Sequence, residues 1–282
     1  MEGTRYAHPG SLLDTGWLEE HLGDTDVRVI EVDEDVTAYE RGHIPGSIGW
    51  SWNTDLCAPV QRDFVDRDCL GVLLRASGVD AGSTVVLYGG SDNSFAAYAY
   101  WLLRYLGFDA IKLLNGGRKK WELDSRPITD EVPCLREGTV TIEAPTRSEL
   151  RVFRNQVLAR LGRAVLVDVR STEEFRGEMV APPHLPREQA RVPGHIPGAA
   201  NIPWRKALAG DGTFRPDDEL RALYESAGVT PDREVITYCR TGVRSSHVWF
   251  VLHELLGYPD VKHYDGSWAE YGSLVREPVE KG

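Results

Sequence analysis

The chain contains a long internal repeat, which constrains its fold more than any other feature of the sequence. Residues 68–121 align with residues 218–271 without a gap, at a constant offset of 150 positions. The segment Gly-His-Ile-Pro-Gly also occurs twice, at 42–46 and at 194–198. Identical pairs in the long block are Leu70/Leu220, Gly78/Gly228, Val85/Val235, Tyr88/Tyr238, Leu102/Leu252, Gly107/Gly257, Lys112/Lys262 and Gly116/Gly266. The repeat predicts two tandem copies of one folding unit.

Each copy alternates β-prone segments with helical ones. In the first half, Val27–Val32 and Thr84–Tyr88 are typical of buried strands, and Ala96–Leu106 is typical of a helix. In the second half, Val165–Val169 and Val235–Tyr238 repeat the two strands. Strands that alternate with helices of about ten residues indicate a mostly parallel sheet flanked by helices. The predicted fold class is therefore α/β, with one such unit in each half.

Length and composition suggest where the domains begin and end. The 282 residues, 41% of them hydrophobic and 27% charged, are enough for two globular cores. We predict a first domain over residues 1–130, a linker over 131–147 and a second domain over 148–282, because residues 125–146 are largely polar and carry four prolines or glycines. Pro182–Arg191 is Pro-rich and charged and has no counterpart in the first half, so a surface insertion is expected there.

Charge and cysteine content disfavour several classes of function. A formal net charge of −11 argues against nucleic acid and anionic membrane surfaces as partners. The apolar run Phe95–Leu103 is too short to cross a bilayer, and the N-terminus lacks the apolar core of a signal peptide, so a cytoplasmic location is expected. The cysteines are widely spaced, so neither a disulfide framework nor a metal site is predicted; they are Cys57, Cys69, Cys134 and Cys239.

Cys239 follows one of the predicted strands and precedes a predicted helix. Ligands of parallel α/β sheets bind beyond the carboxyl ends of the strands. At that position the loop N–H groups, the helix N-terminus and nearby arginines would all favour thiolate over thiol. We therefore predict Cys239 as a nucleophile, although a buried structural cysteine is the alternative. The loop predicted to bind an anionic substrate beside it is Arg240, Thr241, Gly242, Val243 and Arg244.

The loop from Cys239 to Arg244 and the paired Gly-His-Ile-Pro-Gly segments resemble those of tandem-domain rhodaneses, which are thiosulfate sulfurtransferases. The resemblance covers nearly the whole chain and implies two tandem rhodanese-like domains, the second of them catalytic. It also implies that the Cys239 thiolate takes the outer sulfur of thiosulfate, releases sulfite and becomes a persulfide. Cyanide or a thiol acceptor would then remove the sulfur. Positive charge at Arg240 and Arg244 would hold the anionic donor, and no metal or organic cofactor is required.

The first half lacks this apparatus. Gly89 stands where Cys239 stands, and the loop continues as Gly90-Ser91-Asp92-Asn93-Ser94. A loop with a carboxylate and without a thiol is not expected to bind an anionic sulfur donor, so the first domain is predicted to be a structural partner. His43 and His195 occur in both halves, with and without the thiol, and are therefore predicted to hold a turn rather than to act in catalysis.

The sequence departs from the rhodanese pattern at one position. Many rhodaneses carry an arginine before the aromatic residue in the helix that follows the first strand of the catalytic domain. Here Glu174 precedes Phe175, and Glu174 together with Ser171 fits a capping box. Arg176 or Arg170 could supply the missing substrate contact, and Arg176 is the candidate that we retain.

Three other functions fit parts of the pattern. A cysteine-dependent phosphatase would need Cys-x5-Arg, whereas Cys239 and Arg244 have the spacing Cys-x4-Arg. A 3-mercaptopyruvate sulfurtransferase would share the scaffold but usually has a small residue where Arg240 stands. A non-catalytic module that carries sulfur for a partner would retain the same thiol. Transfer from thiosulfate is the preferred hypothesis, with the physiological donor, the acceptor and the oligomeric state left open.

Overall fold

The computed structural model describes residues 5–182 and 189–282, so residues 183–188 of the predicted insertion lie outside the described residues. The chain forms two compact units. The first unit comprises residues 10–147 and 210–213. The second unit comprises the described residues up to Pro9, together with 148–209 and 214–282.

The first unit is built on a parallel sheet. Its strands are β1 (Leu12–Leu13), β2 (Val27–Asp33), β3 (Ile48–Ser51), β4 (Thr84–Tyr88) and β5 (Ile111–Leu114). Its helices are α1 (Thr15–Glu20), α2 (Thr37–Arg41), α3 (Arg67–Ala76), α4 (Ser94–Leu106) and α5 (Gly117–Leu123). Within the described residues the strand order is β1-β5-β4-β2-β3, and every neighbouring pair is parallel. Ile30 and Val86 on the two central strands are fully buried, as expected for a sheet that is covered on both faces.

Within the described residues, the second unit repeats this arrangement with fewer strands. Its strands are β6 (Val165–Asp168), β7 (Ala200–Asn201), β8 (Val235–Tyr238) and β9 (Val261–His263). Its helices are α6 (Arg154–Ala159), α7 (Thr172–Arg176), α8 (Asp217–Glu225), α9 (Val243–Phe250) and α10 (Ser267–Tyr271). All neighbouring pairs in the order β7-β6-β8-β9 are parallel, so the predicted α/β class with one parallel sheet in each half is confirmed. In the part of the chain that the structure describes, no helix combines the length and apolar character needed to span a membrane.

The strand register shows which residues of the two units are equivalent. Glu31 on β2 lies beside Tyr88 on β4, and Asp168 on β6 lies beside Tyr238 on β8. Because Tyr88 and Tyr238 are paired by the sequence repeat, Glu31 and Asp168 occupy the same place at the carboxyl ends of their strands. This edge of the sheet in the second unit is where Cys239 follows β8.

The two repeated histidines tie their turns to the backbone, as predicted. His43 Nδ1 lies 2.8 Å from the carbonyl oxygen of Tyr39, and the two rings stack with their centroids 3.9 Å apart. His195 Nδ1 lies 2.8 Å from the carbonyl oxygen of Phe175, and those rings stack at 3.6 Å. The same contact recurs in the unit without a thiol, which confirms a structural role for both side chains.

The stretch predicted as a linker, residues 131–147, is hydrogen-bonded along the first unit and contains neither a helix nor a strand. The N–H of Gly138 donates to the carbonyl of Arg75 at 2.8 Å, and the N–H of Val140 donates to that of Val79 at 3.1 Å. The next residue after this stretch, Ser148, belongs to the second unit.

Candidate active site

Cys239 lies at the carboxyl end of β8, directly before the turn into α9. Its side chain is only 1% exposed, and the N–H of Gly242 donates to its Sγ at 3.2 Å. Gly242 has a φ of 94°, and a Cβ at this position would approach the carbonyl oxygen of Asp265 to 2.9 Å. The turn therefore requires glycine, since other residues rarely adopt this backbone conformation. The result is a sulfur atom held at the N-terminal end of α9.

The surroundings of Cys239 favour the thiolate form. Burial opposes ionisation of the thiol, but the charge of Arg244 and hydrogen bonds from Ser245 and from the Thr241 N–H outweigh it. The pKa of Cys239 consequently lies below its ordinary value. The thiolate is the form of cysteine that acts as a nucleophile.

Arg244 is held by Glu174, the residue at which the sequence departs from the rhodanese pattern. Its Nη1 and Nη2 donate to the two carboxylate oxygens of Glu174 at 2.8 and 2.9 Å. Glu174 is fully buried; burial raises the pKa of its carboxyl, but the bonds and charge of Arg244 outweigh this, so the pKa lies below its ordinary range. The predicted capping box between Ser171 and Glu174 is confirmed. Sequence reasoning found the cap but missed the ion pair.

The other two arginines considered for the substrate differ sharply in exposure. Arg170 is fully buried, and its Nη2 donates to Asp168 Oδ2 at 2.6 Å and to the carbonyl of Gly194 at 2.7 Å. Arg176 is 56% exposed, and its Nη1 lies 3.9 Å from Glu178 Oε1. Arg170 is therefore fixed inside the second unit, whereas a substrate contact by Arg176 remains a prediction.

Two residues that the sequence did not point to, Ser245 and His263, support the loop from Cys239 to Arg244. Ser245 Oγ donates to the carbonyl of Gly242 at 3.0 Å and lies 2.8 Å from His263 Nε2. Burial, together with the charge of Arg151, lowers the pKa of His263 to about 3, so this histidine is neutral. Among the described residues, no group of three or more His, Cys, Asp or Glu side chains is suited to hold a metal ion.

The equivalent loop of the first unit has a different backbone and no room for a thiol. Ser91, Asp92 and Asn93 all have positive φ angles, of 47°, 52° and 65°. A Cβ at Gly89 would lie only 2.4 Å from the carbonyl oxygen of Val32. Burial raises the pKa of nearby Asp33, which accepts the Gly90 N–H, to about 6. The first unit therefore lacks the thiol, and its backbone leaves no room for a side chain at Gly89.

Each unit nevertheless holds one guanidinium group at the same place. In the second unit Arg170 bridges the strand-end carboxylate of Asp168 and the carbonyl of Gly194. In the first unit Arg118 bridges the equivalent carboxylate of Glu31, at 2.6 and 2.7 Å, and the carbonyl of Gly42, at 2.7 Å. Gly42 and Gly194 both begin the repeated Gly-His-Ile-Pro-Gly segment. The two arginines come from different positions of the repeat, so alignment of the two halves does not pair them.

Comparison with known proteins agrees with this geometry. The model of the rhodanese-like domain matches residues 14–124 and 154–274. A Mycolicibacterium smegmatis protein named "Putative thiosulfate sulfurtransferase" is 52% identical over 271 residues, which cover 96% of this chain and 98% of the relative. The "Sulfur carrier protein TtuD" of Thermus thermophilus is 50% identical over 283 residues, which cover 98% of this chain and 99% of the relative.

A solved structure of EanB with a cysteine persulfide and ergothioneine is similar to this chain in three dimensions. It has a TM-score of 0.84 and 26% sequence identity, and the match covers 99% of this chain and 72% of that one. The family match and the relatives extend over both halves of the chain. The chain therefore belongs to the rhodanese-like sulfurtransferase family and carries one rhodanese-like domain in each half.

Proposed function

We propose that the protein transfers the sulfane sulfur of thiosulfate, through a persulfide on Cys239, to cyanide or to a thiol acceptor. The observation that carries the proposal is the environment of Cys239, whose buried sulfur accepts the Gly242 N–H at 3.2 Å and has a lowered pKa because of Arg244. The name of the 52% identical relative supports thiosulfate as the donor. The first unit, which has glycine at the equivalent position, is proposed to be structural.

In the first half-reaction, the Cys239 thiolate attacks the outer sulfur of thiosulfate. A bond forms between Sγ and that sulfur, while the bond from the outer sulfur to the sulfonate sulfur breaks. The bonding electron pair leaves with sulfite, so one thiolate and one thiosulfate dianion give one persulfide anion and one sulfite dianion. Arg240 and Arg244 are proposed to stabilise the charge on the donor, with Arg176 as a further contact at the rim.

In the second half-reaction, cyanide or a thiolate attacks the outer sulfur of the persulfide. The sulfur–sulfur bond breaks, its electron pair returns to Cys239 as thiolate, and thiocyanate or a new persulfide leaves. Between the two steps the persulfide anion needs donors that replace water, because an unsolvated buried anion is unstable. The N–H of Gly242, which already points at Sγ, is proposed to be one of these donors.

Intact-mass spectrometry tests the proposal directly. Thiosulfate should add one sulfur atom to the chain, and cyanide should then remove it with the formation of thiocyanate. The Cys239→Ser variant is the control and should gain no sulfur; a gain that persists in this variant would place the chemistry elsewhere. Faster turnover with 3-mercaptopyruvate than with thiosulfate would reassign the donor, and comparable turnover of an aryl phosphate would replace sulfur transfer by phosphatase chemistry.

A second candidate, a sulfur carrier for a partner protein, is favoured by the 50% identical relative whose name is "Sulfur carrier protein TtuD". Both candidates use the Cys239 persulfide and differ in the acceptor. A persulfide that reacts slowly with cyanide and small thiols, but passes its sulfur rapidly to a protein thiol or a protein C-terminus, would select the carrier function. Rapid discharge to cyanide would select the enzyme.

A further inference from the structure

We infer that Ser267 is a positioning residue for Cys239. The hydroxyl of Ser267 accepts the backbone N–H of Cys239 at 3.0 Å and donates to the carbonyl of Tyr264 at 2.8 Å. The side chain is fully buried at the start of α10. One hydroxyl thus connects the backbone of the nucleophile at the end of β8 to the residue that follows β9.

The first unit connects the same two backbone positions with a different side chain. There the amide of Asn93 accepts the N–H of Gly89 at 2.9 Å through Oδ1 and donates to the carbonyl of Leu114 at 2.6 Å through Nδ2. The sequence repeat pairs Gly89 with Cys239 and Leu114 with Tyr264. Both units therefore need a polar bridge at this point, since an unpaired buried N–H or carbonyl is costly.

The two bridges exclude one another. Position 117 is the repeat partner of Ser267, and a Cβ on Gly117 would lie 2.1 Å from Asn93 Oδ1. The first unit therefore supplies the bridge from the active-loop position and has glycine on the helix. The second unit supplies it from the helix, through Ser267, and needs no such side chain in its active loop.

The different origin of the polar bridge explains how the loop after β8 can surround a sulfur atom. In the first unit the loop that carries the bridging Asn93 adopts left-handed backbone from Ser91 to Asn93. In the second unit the loop has a positive φ at Gly242 alone among its residues, and the Gly242 N–H points at Sγ. Because Ser267 holds the Cys239 backbone from outside the loop, the loop N–H groups are left to face the sulfur.

The backbone of Ser267 gives independent support. Its φ of 54° lies in the left-handed region, which is unfavourable for a residue other than glycine. Gly117 in the first unit has nearly the same φ, 55°. A serine in a glycine conformation persists where surrounding contacts compensate, and such residues cluster at functional sites. Here the two hydrogen bonds of the hydroxyl are the compensating contacts.

The inference rests on the proposed role of Cys239 as the reactive thiol, and Ser267→Gly tests it. Glycine suits the φ of 54° but leaves the Cys239 N–H and the Tyr264 carbonyl without the hydroxyl that joins them. We expect the pH midpoint of Cys239 alkylation, followed by peptide mass spectrometry, to rise by about one unit. Persulfide formation at neutral pH should slow by roughly tenfold. Alkylation needs no sulfur donor, so its result stands even if thiosulfate proves not to be the substrate.

Asn93→Ala is the matched control, because it removes the equivalent bridge from the first unit. It should lower the melting temperature but leave the alkylation midpoint and the persulfide rate at the wild-type values. Wild-type values in folded Ser267→Gly, or equal shifts in both variants, would overturn the inference. If Ser267→Gly does not fold, hydrogen exchange in the wild-type protein takes its place, and rapid exchange of the Cys239 amide would be equally decisive against the inference.

Discussion

Arg244 and Glu174 form a two-point ion pair, with both Nη atoms of the arginine directed at the carboxylate oxygens. The charge of Arg244 also lowers the pKa of Cys239, so one guanidinium interacts with both a buried acid and the buried thiol. The ion pair with Glu174 thus fixes the guanidinium whose charge acts on the sulfur atom. The half-buried Arg240 is then the loop cation that we expect to meet the far end of an anionic donor.

The first prediction separates the two roles of Arg244. Arg244→Ala should destabilise the protein by about 3–5 kcal/mol, because it leaves Glu174 buried without its partner. It should also slow sulfur uptake from thiosulfate more than discharge to cyanide, since the dianion is present only in the first step. Arg244→Ala/Glu174→Gln should recover much of the stability, measured by urea unfolding, but not the rate of uptake in stopped-flow experiments. A double variant with wild-type uptake would remove Arg244 from the mechanism.

The second prediction compares Arg240 and Arg176, two of the three arginines proposed to meet the donor. Arg240→Ala should raise KM for thiosulfate by roughly tenfold, since a charge-assisted contact to an anion is strong. Arg176→Ala should raise it by only about twofold, because charges exposed to water interact weakly. Steady-state kinetics at several thiosulfate concentrations measures both values. A larger effect at Arg176 would show that it replaces the arginine that many rhodaneses carry at the position of Glu174.

The third prediction concerns the vacant position in the first unit. Gly89→Cys should not create a second reactive thiol, and it should destabilise the first unit by about 1–3 kcal/mol through overpacking. The reason is the 2.4 Å approach of a Cβ at this position to the Val32 carbonyl oxygen. Mass spectrometry should find no added sulfur in Cys239→Ser/Gly89→Cys after thiosulfate treatment.

Gly82→Cys provides a matched control for this experiment, because a Cβ at Gly82 would meet nothing within 4 Å. It introduces the same side chain into the same unit and should leave the melting temperature unchanged. Sulfur uptake by the Gly89→Cys variant, with wild-type stability, would contradict the steric argument.

The fourth prediction is a pH dependence of stability. His263 has a pKa of about 3 in the folded protein against an ordinary value of 6.5. Between these values the unfolded chain binds a proton that the folded chain does not. The free energy of unfolding should therefore rise with pH by about 1.4 kcal/mol per unit in this window and level off above it. In His263→Gln this contribution is absent, so the difference in free energy of unfolding between the wild type and the variant should shrink between pH 7 and pH 4. Urea unfolding at several pH values measures both free energies. If the two change with pH in parallel, the assignment is refuted.

Much of the architecture could be predicted because the sequence carries it twice. The constant offset of 150 positions fixed the order of strands and helices in both halves, and the position of Cys239 after β8 followed from the strand pattern. The role of His43 and His195 in holding their turns followed from a short motif that occurs in both halves.

The main missed features depend on partners that are distant in the sequence. Glu174 and Arg244 are 70 residues apart in the chain, and the spacing of hydrophobic residues contains no information on their pairing. Residues near Ala7 also belong to the second unit, through the bond from the Ala7 N–H to the Leu255 carbonyl, although they precede the first unit in sequence. The sequence did contain one indication of Ser267. In the alignment of the two halves it is paired with Gly117, directly after the identical pair Gly116/Gly266.

The different origins of Arg118 and Arg170 limit how the two halves can be recombined. Consider a hybrid second unit in which β2, with Glu31 and Asp33, replaces β6 and Arg170, whereas α10 is retained. This hybrid would have no guanidinium between the strand-end acid and the glycine carbonyl. The reverse hybrid would place two guanidinium groups against one carboxylate. Gene shuffling between the halves should therefore succeed only when the crossover keeps β2 with α5, or β6 with α10, as one inherited block.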